Sequence, residues 1–124
     1  MDPIADMLVI IKNGYLASKP EVKVKTSRFR LEVAKVLGKL NFIKDVTESE
    51  GYINIGLIYN NNEPRVHELK KVSKLGLRIY TKSKHLMPIK GGIGAFVVST
   101  PQGVMSGQEA KKKKLGGEVV CLVW

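Results

Sequence analysis

The spacing of apolar residues shifts near residue 40 from mainly helical to mainly strand-like, and that shift dictates most of what the chain can fold into. Up to residue 40 the apolar positions recur at helical intervals. Ile4, Met7, Leu8, Ile11 and Tyr15 form one stripe, and Phe29, Val33, Val36, Leu37 and Leu40 form another, each the pattern of an amphipathic helix with one buried face. Asp2-Pro3 starts the first helix with an acceptor at the cap and a proline whose missing N–H costs nothing at the first helical position. Ser18-Lys19-Pro20 stops it, and Ser27 caps the second helix. Between them Glu21–Lys25 alternates polar residues with Val22 and Val24, as a half-buried strand does. From residue 43 to 59 the period is two. Two strands flank the acidic turn Glu48-Ser49-Glu50-Gly51, with Ile53, Ile55 and Leu57 on one face. The first unit reads α-β-α-β-β.

Asn60-Asn61-Asn62-Glu63-Pro64 is the strongest turn cluster in the chain, and it divides an N-terminal subdomain, residues 1–62, from a C-terminal one, residues 63–124. In the second, residues 65–72 and 77–80 read as strands around Gly76, followed by a basic connection with Lys82, Lys84 and His85. Ala95–Thr100 is an apolar strand, Thr100-Pro101-Gln102-Gly103 a turn with proline at its second position, and Val104-Met105 the return. Ser106-Gly107-Gln108-Glu109 has the spacing of a capping box, opening a short helix that Gly116-Gly117 is expected to end. Residues 118–124 close as a mostly apolar strand. The expected class is α+β, two small subdomains of which the second is mostly antiparallel β with a short helix.

Charge narrows the function. The 124 residues hold 21 Lys and Arg against 11 Asp and Glu, a net +10. Residues 1–62 carry nine basic and seven acidic residues, or +2; residues 63–124 carry twelve and four, or +8. A charge kept only for solubility needs no such asymmetry, so a polyanionic partner is expected for the second half. One cysteine, Cys121, cannot form an internal disulfide, and with only His67 and His85 no zinc-type ligand set can be assembled. No apolar run approaches the roughly 18 residues of a membrane span, and Met1-Asp2-Pro3 is not the start of an export signal. The expectation is a cytoplasmic protein, monomeric when free, without cofactor, metal or membrane. No catalytic constellation appears either. Gly92-Ile93-Gly94 precedes a strand instead of following one and lacks the third glycine of a dinucleotide loop, and Cys121 sits in an apolar strand pattern as a small hydrophobe.

Several residues are candidates for RNA contact. Lys25, Arg28 and Arg30 surround the positive end of the second helix dipole, where cations are unfavourable by roughly 0.3–1 kcal/mol; an anion would offset that cost, and Thr26 and Ser27 add hydroxyls for a phosphate. The plain alternative is a serine cap with solvated arginines. Lys111, Lys112, Lys113 and Lys114 either complement the negative end of their helix or touch phosphate, and four consecutive side chains on a helix leave at least one stem along the protein body. Ser99 and Thr100 place hydroxyls beside the Pro101 turn, where each can donate or accept towards a base edge or 2′-OH. Gly103 belongs to the same tip. Gly116 and Gly117 either admit a close nucleic-acid backbone or only cap a helix. Tyr80, between Arg78 and Lys82, is the aromatic best placed to stack on a base, with a core role as its alternative. Aromatic content is 6% and the RRM signature is absent, which favours reading of shape and backbone.

The run Gly94-Ala95-Phe96-Val97-Val98-Ser99-Thr100-Pro101-Gln102-Gly103-Val104-Met105-Ser106 and the ending Lys114-Leu115-Gly116-Gly117-Glu118-Val119-Val120-Cys121-Leu122-Val123-Trp124 resemble the signature of the small ribosomal subunit protein eight family, in its bacterial form. So do Asp2-Pro3-Ile4-Ala5-Asp6-Met7-Leu8 with Ile11-Lys12-Asn13-Gly14, and Val72-Ser73-Lys74-Leu75-Gly76-Leu77-Arg78-Ile79-Tyr80. The resemblance implies a non-catalytic protein that binds the central domain of small-subunit rRNA directly, early in assembly, beside small-subunit proteins five and twelve. It implies that Ser99 and Thr100 meet an irregular, bulged rRNA helix with Gly116, Gly117 and Glu118 alongside, and that Thr26, Ser27 and Arg28 form a second contact with the backbone. Some relatives also bind their own operon mRNA. The family pattern has a third hydroxyl, serine, where this chain has Pro101, so the contact of that side chain is lost or replaced. The alternative function is a basic adaptor that docks on an acidic protein or an anionic membrane surface.

Overall fold

A computed structural model describes residues 3–71 and 94–124. The cap at Asp2, the expected strand at 77–80 and the basic connection with Tyr80, Lys82, Lys84 and His85 lie outside the described residues. In chain order the elements are α1 (Pro3–Leu16), β1 (Glu21–Lys25), α2 (Arg28–Lys39), β2 (Val46–Ser49), β3 (Tyr52–Gly56), β4 (Tyr59–Asn60), β5 (Glu63–Pro64), β6 (Leu69–Lys71), β7 (Ala95–Thr100), β8 (Gly103–Ser106), α3 (Gly107–Lys112) and β9 (Glu118–Val123). Helices and antiparallel sheets are mixed, so the fold is α+β, and the first unit is α-β-α-β-β.

The N-terminal sheet has the order β1-β3-β2, all antiparallel, with Val22 opposite Ile55 and Val24 opposite Ile53. Alternation sends Val22, Val24, Ile53 and Ile55 inward, where the stripes of α1 and α2 cover them. The stripe of α2 is shifted from the sequence reading. Ala34 is fully buried beside Val33, Val36 and Leu37, while Phe29, in the first turn, is 38% exposed. Tyr15 of α1 is buried with its hydroxyl satisfied twice: it donates to the Phe42 carbonyl at 2.7 Å and accepts from the Ile58 N–H at 3.2 Å. Its ring meets Tyr59 edge-on, centroids 5.4 Å apart.

The turn cluster at the proposed seam is a tight reversal. Asn61 and Asn62 take φ of 52° and 68° between the short strands β4 and β5, a left-handed pair that asparagine tolerates. The expected strand at 65–72 shortens to β6. Residues 65–68 spend their backbone groups elsewhere: Arg65 N–H on the Ile58 carbonyl, and His67 and Glu68 N–H on the Trp124 carbonyl.

The C-terminal sheet has the order β6-β9-β7-β8, also antiparallel. Its last strand in sequence, β9, lies inside the sheet. One face of this sheet joins the core of the first unit, so that Val66, Leu69, Val97, Val120, Cys121 and Val123 belong to one cluster with α1, α2 and the N-terminal sheet. The other face, with Val98, Met105 and Val119, is covered by Ala110 of α3. The proposed seam at residue 62 is therefore crossed by a continuous hydrophobic core. It is also bridged by Lys12 Nζ to Glu68 Oε1 at 2.6 Å and Lys39 Nζ to Glu109 Oε1 at 3.1 Å.

The three helices among the described residues end alike. Ser18, Asn41 and Lys114 take φ of 54°, 64° and 55° just past the helix, and the following N–H of Lys19, Phe42 and Leu115 bonds back to the carbonyls of Gly14, Leu37 and Ala110, the Schellman arrangement. Gly116 and Gly117 do not end α3, as the sequence suggested; Lys114 does, and the glycines follow it.

Cys121 is fully buried between β6 and β7, and burial pushes its thiol up to about 12. The unfolded thiol ionises near pH 8.5 and the folded one far later, so the contribution of Cys121 is fully present below about pH 8.5 and is lost as pH rises towards 12. The stability difference between wild type and Cys121→Ala, measured by urea unfolding, should be constant up to about pH 8 and then narrow by up to about 1.4 kcal/mol per pH unit. A difference unchanged at pH 10 refutes this.

Candidate nucleic-acid interface

The candidate residues form two groups, one at the start of α2 and one at the tip of the β7–β8 hairpin. At the first, the polar groups that looked free are largely spent inside the protein. Ser27 Oγ accepts from Arg30 N–H at 3.1 Å as the helix cap, and the Thr26 hydroxyl donates to the Glu48 carboxylate. Thr26 N–H bonds to the Gly51 carbonyl at 2.9 Å, which stitches the helix start to the β2–β3 turn. Arg30 folds back: Nη1 donates to the Lys25 carbonyl at 2.8 Å, Nη2 lies 3.7 Å from Asp6 Oδ2, and the side chain is only 13% exposed. The cost of cations near this helix dipole is thus offset partly by Asp6 and Glu48. Lys25 and Arg28 remain exposed.

At the second group, β7 and β8 pair from Val97 opposite Ser106 to Thr100 opposite Gly103, and Gly103 closes the turn with φ of 117°, a conformation that favours glycine. Pro101 and Gln102 are the exposed tip. The Thr100 hydroxyl serves the turn itself. It donates to the Gly103 carbonyl at 2.8 Å and accepts from the Gln102 N–H at 3.1 Å. Ser99 is half-buried one step back, opposite Val104 on β8 and Glu118 on β9.

Gly117 decides the shape here. A Cβ at this position would stand 2.9 Å from the Ser99 carbonyl carbon, nearer still to its oxygen, and 3.1 Å from Thr100 Cα. Backbone meets backbone, with no side chain able to yield. The glycine is therefore required by packing of the chain against β7, a third reason beyond the two that the sequence left open. Because of it Gly117 and Glu118 lie against the hairpin, with Glu118 opposite Ser99.

The four lysines after Ala110 are all exposed. Lys113 keeps a helical backbone as the C-cap of α3, and Lys114 turns left-handed after it. Lys113 Nζ approaches Glu109 Oε2 at 3.6 Å. Glu109 was expected to complete a capping box with Ser106. Ser106 Oγ does accept from the Glu109 N–H at 3.1 Å, while the Glu109 carboxylate goes to Lys39 and Lys113; the hydrogen bond from Lys39 above all holds its carboxyl below the usual range. Between α2 and the β8–α3 corner this leaves a groove of about 360 Å³, floored by Val36, Leu40, Val104 and Met105. Glu32 reaches into the same region near Gly103, a neighbour 71 positions away in the chain that no local pattern announces.

Comparison with known proteins settles the context. The family model described as Ribosomal protein S8 matches residues 2–124. The chain belongs to the ribosomal protein S8 family. It is 44% identical over 128 residues to the small ribosomal subunit protein uS8 of Roseiflexus castenholzii, covering 99% of this chain and 97% of that one. With the proteins of the same name from Nitratidesulfovibrio vulgaris and Caldanaerobacter subterraneus it shares 40% and 43% identity, covering 98% and 97% of their lengths. A member of the ribosomal protein S8 family is a structural, non-enzymatic constituent of the small ribosomal subunit, so this chain works in translation as part of a cytoplasmic ribonucleoprotein. Of the two functions weighed from the sequence, membership selects the ribosomal one. Among the described residues no helix is long and apolar enough to cross a membrane.

The close approach at Gly117 makes a direct prediction for this family member. Gly117→Ala must push its strand off β7, and it should cost roughly 1–3 kcal/mol or more of stability in urea unfolding. An unfolding midpoint equal to wild type would show that the backbone contact relaxes freely.

Proposed function

We propose that the protein binds small-subunit rRNA directly, in the central domain and early in assembly, and that residues 63–124 supply the recognition. The observation that carries this reading is the backbone contact of Gly117 with Ser99 and Thr100, which builds one rigid edge from Ser99, the turn tip, Gly116 and Glu118. An irregular RNA helix offers splayed bases and 2′-OH groups to such an edge. Lys111, Lys112, Lys113 and Lys114, exposed at the end of α3, supply long-range attraction to phosphate but no sequence information. Gly103 acts through the turn it closes.

The first unit, residues 1–62, adds a second and weaker contact. Lys25 and Arg28 are the exposed cations at the start of α2, while Thr26, Ser27 and Arg30 act mainly by holding that corner of the protein in shape. Tyr80 and Lys82 keep their proposed role at the RNA from sequence alone. The neighbours proposed in the subunit are small-subunit proteins five and twelve, and the chain's own operon mRNA is a second RNA target if it carries a similar irregular helix.

The test is competition. An internal-loop helix from the central domain should displace bound rRNA at concentrations where a plain duplex of equal length does not, and affinity should fall steeply with salt. Ser99→Ala should weaken binding by roughly 1–3 kcal/mol with the salt slope intact, whereas Lys113→Ala should cost less and reduce the slope by about one. Equal competition by plain duplex would refute specific recognition.

A further inference from the structure

Strand β8 is an outer edge of the C-terminal sheet, whose order is β6-β9-β7-β8. Its pairing with β7 ends at Thr100 opposite Gly103, so 100/103 and 98/105 are the hydrogen-bonded pairs. Val104, between them, turns its N–H and C=O away from β7. Neither group bonds to another described residue. Ser106 turns its N–H to the same side, while its carbonyl serves the first turn of α3. Such a strand edge is a template for a further strand unless something covers it.

Beside this edge lies the groove of about 360 Å³ against α2. The groove follows the edge and not one face of the sheet: Val104 packs towards the large core and Met105 into the cluster under α3, yet both line it. Val36 and Leu40 form the opposite wall. α2 runs in the same direction as β8, since Glu32 lies near Gly103 and Lys39 reaches Glu109 just past Ser106. The two ends differ in charge. At the Glu109 end one carboxylate faces two ammonium groups, Lys39 at 3.1 Å and Lys113 at 3.6 Å, and Lys35 is exposed one turn earlier on α2. At the Gly103 end stands the carboxylate of Glu32. The groove is thus positive at one end, negative at the other and apolar between.

We propose that this groove takes an extended segment of a partner protein, which adds to β8 as a further strand of the sheet. The main chain of the segment bonds to the N–H and C=O of Val104 and the N–H of Ser106, and its side chains read the walls. Every strand pair among the described residues is antiparallel, and antiparallel pairing is the more stable kind. An antiparallel segment enters at the Glu109 end and leaves at Gly103. Charge complementarity then sets its chemistry: an acidic residue first, apolar side chains at alternate positions, a basic residue last. RNA suits the groove less well, because the floor is apolar and a phosphate has no donor for the Val104 carbonyl. The docking site does not rest on the rRNA contact proposed above.

The experiment titrates the full isotope-labelled chain, followed by amide NMR, with the synthetic peptide Glu-Val-Thr-Val-Thr-Lys. Parallel titrations use the same peptide with its glutamate and lysine exchanged, and versions N-methylated on both valines or on both threonines. The first peptide should shift the amides of Val104 and Ser106, and the charge-exchanged one should bind about tenfold more weakly. One of the two N-methylated versions should lose binding, because alternate N–H groups of an added strand face β8. Lys35→Glu should weaken the first peptide several-fold while unfolding at the wild-type midpoint, since Lys35 is exposed. Absence of any shift at Val104 and Ser106 up to millimolar peptide overturns the docking site. Equal binding of the two charge orders overturns the assigned chemistry, and full binding by both N-methylated versions overturns strand addition. If oligouridine moves these amides and the peptides do not, the groove belongs to RNA and protein docking is overturned.

Discussion

Strand β9 holds the C-terminal half together, and the candidate interface hangs from it. It pairs with β6 on one side and β7 on the other, so the sheet cannot close until the last residues of the chain are in place. Val119, Val120, Cys121 and Val123 are all buried, each worth on the order of 1.5–3 kcal/mol of apolar burial. A regular strand cannot bury three consecutive residues on one face. The register shift between Val97 and Val98 resolves this: Cys121 opposes Val97 and Val119 opposes Val98, leaving Val120 as the extra residue of a bulge. Val120 and Cys121 then face the large core while Val119 turns to the small cluster under α3.

The bulge also sets where the interface lies. It re-aims the strand just before Glu118 and Gly117, and the backbone contact of Gly117 with Ser99 and Thr100 follows at the end of the sheet. α3 seals the neighbouring face with Ala110 and leaves its lysines at the margin. The order of causes runs from the core outward. Apolar packing fixes β9, β9 fixes β7, and the hairpin beyond Thr100 inherits a base on which its two-residue tip can be held without a core of its own.

How much of this was legible in the sequence follows from how local each cause is. The period of apolar residues gave α1, β1, α2, β3 and β7 within a residue or two, because burial of one face leaves its mark on every second or every third and fourth position. Helix ends were harder. The usual signal is glycine just past the last turn, yet Ser18, Asn41 and Lys114 fill that place here, so the reading of Gly116 and Gly117 as a cap went to the wrong pair. Gly117 answers a constraint from a strand 18 positions earlier, at Ser99, and a non-local contact has no period. The β9 bulge and the Lys39–Glu109 bridge were hidden for the same reason. Residue 120 carries no glycine to announce a bulge, and Glu109 had a sufficient local explanation as half of a capping box.

The candidate site shows the same division in chemical form. Sequence lists which groups are able to bind RNA; structure says which have already been used. Thr26, Ser27, Arg30 and Thr100 all carry suitable groups, and all four are engaged with the protein's own atoms: Thr26, Arg30 and Thr100 donate to them, and the Ser27 hydroxyl accepts from the Arg30 N–H. To release any of them for a ligand, the protein would exchange one hydrogen bond for another while loosening a cap, a corner or a turn, a poor source of net affinity. Specific contacts should therefore come from groups that the fold positions but does not satisfy, and long-range attraction from cations it leaves in water. On that criterion the Thr100 hydroxyl serves first to shape the tip, while the lysines after Ala110 are left in water.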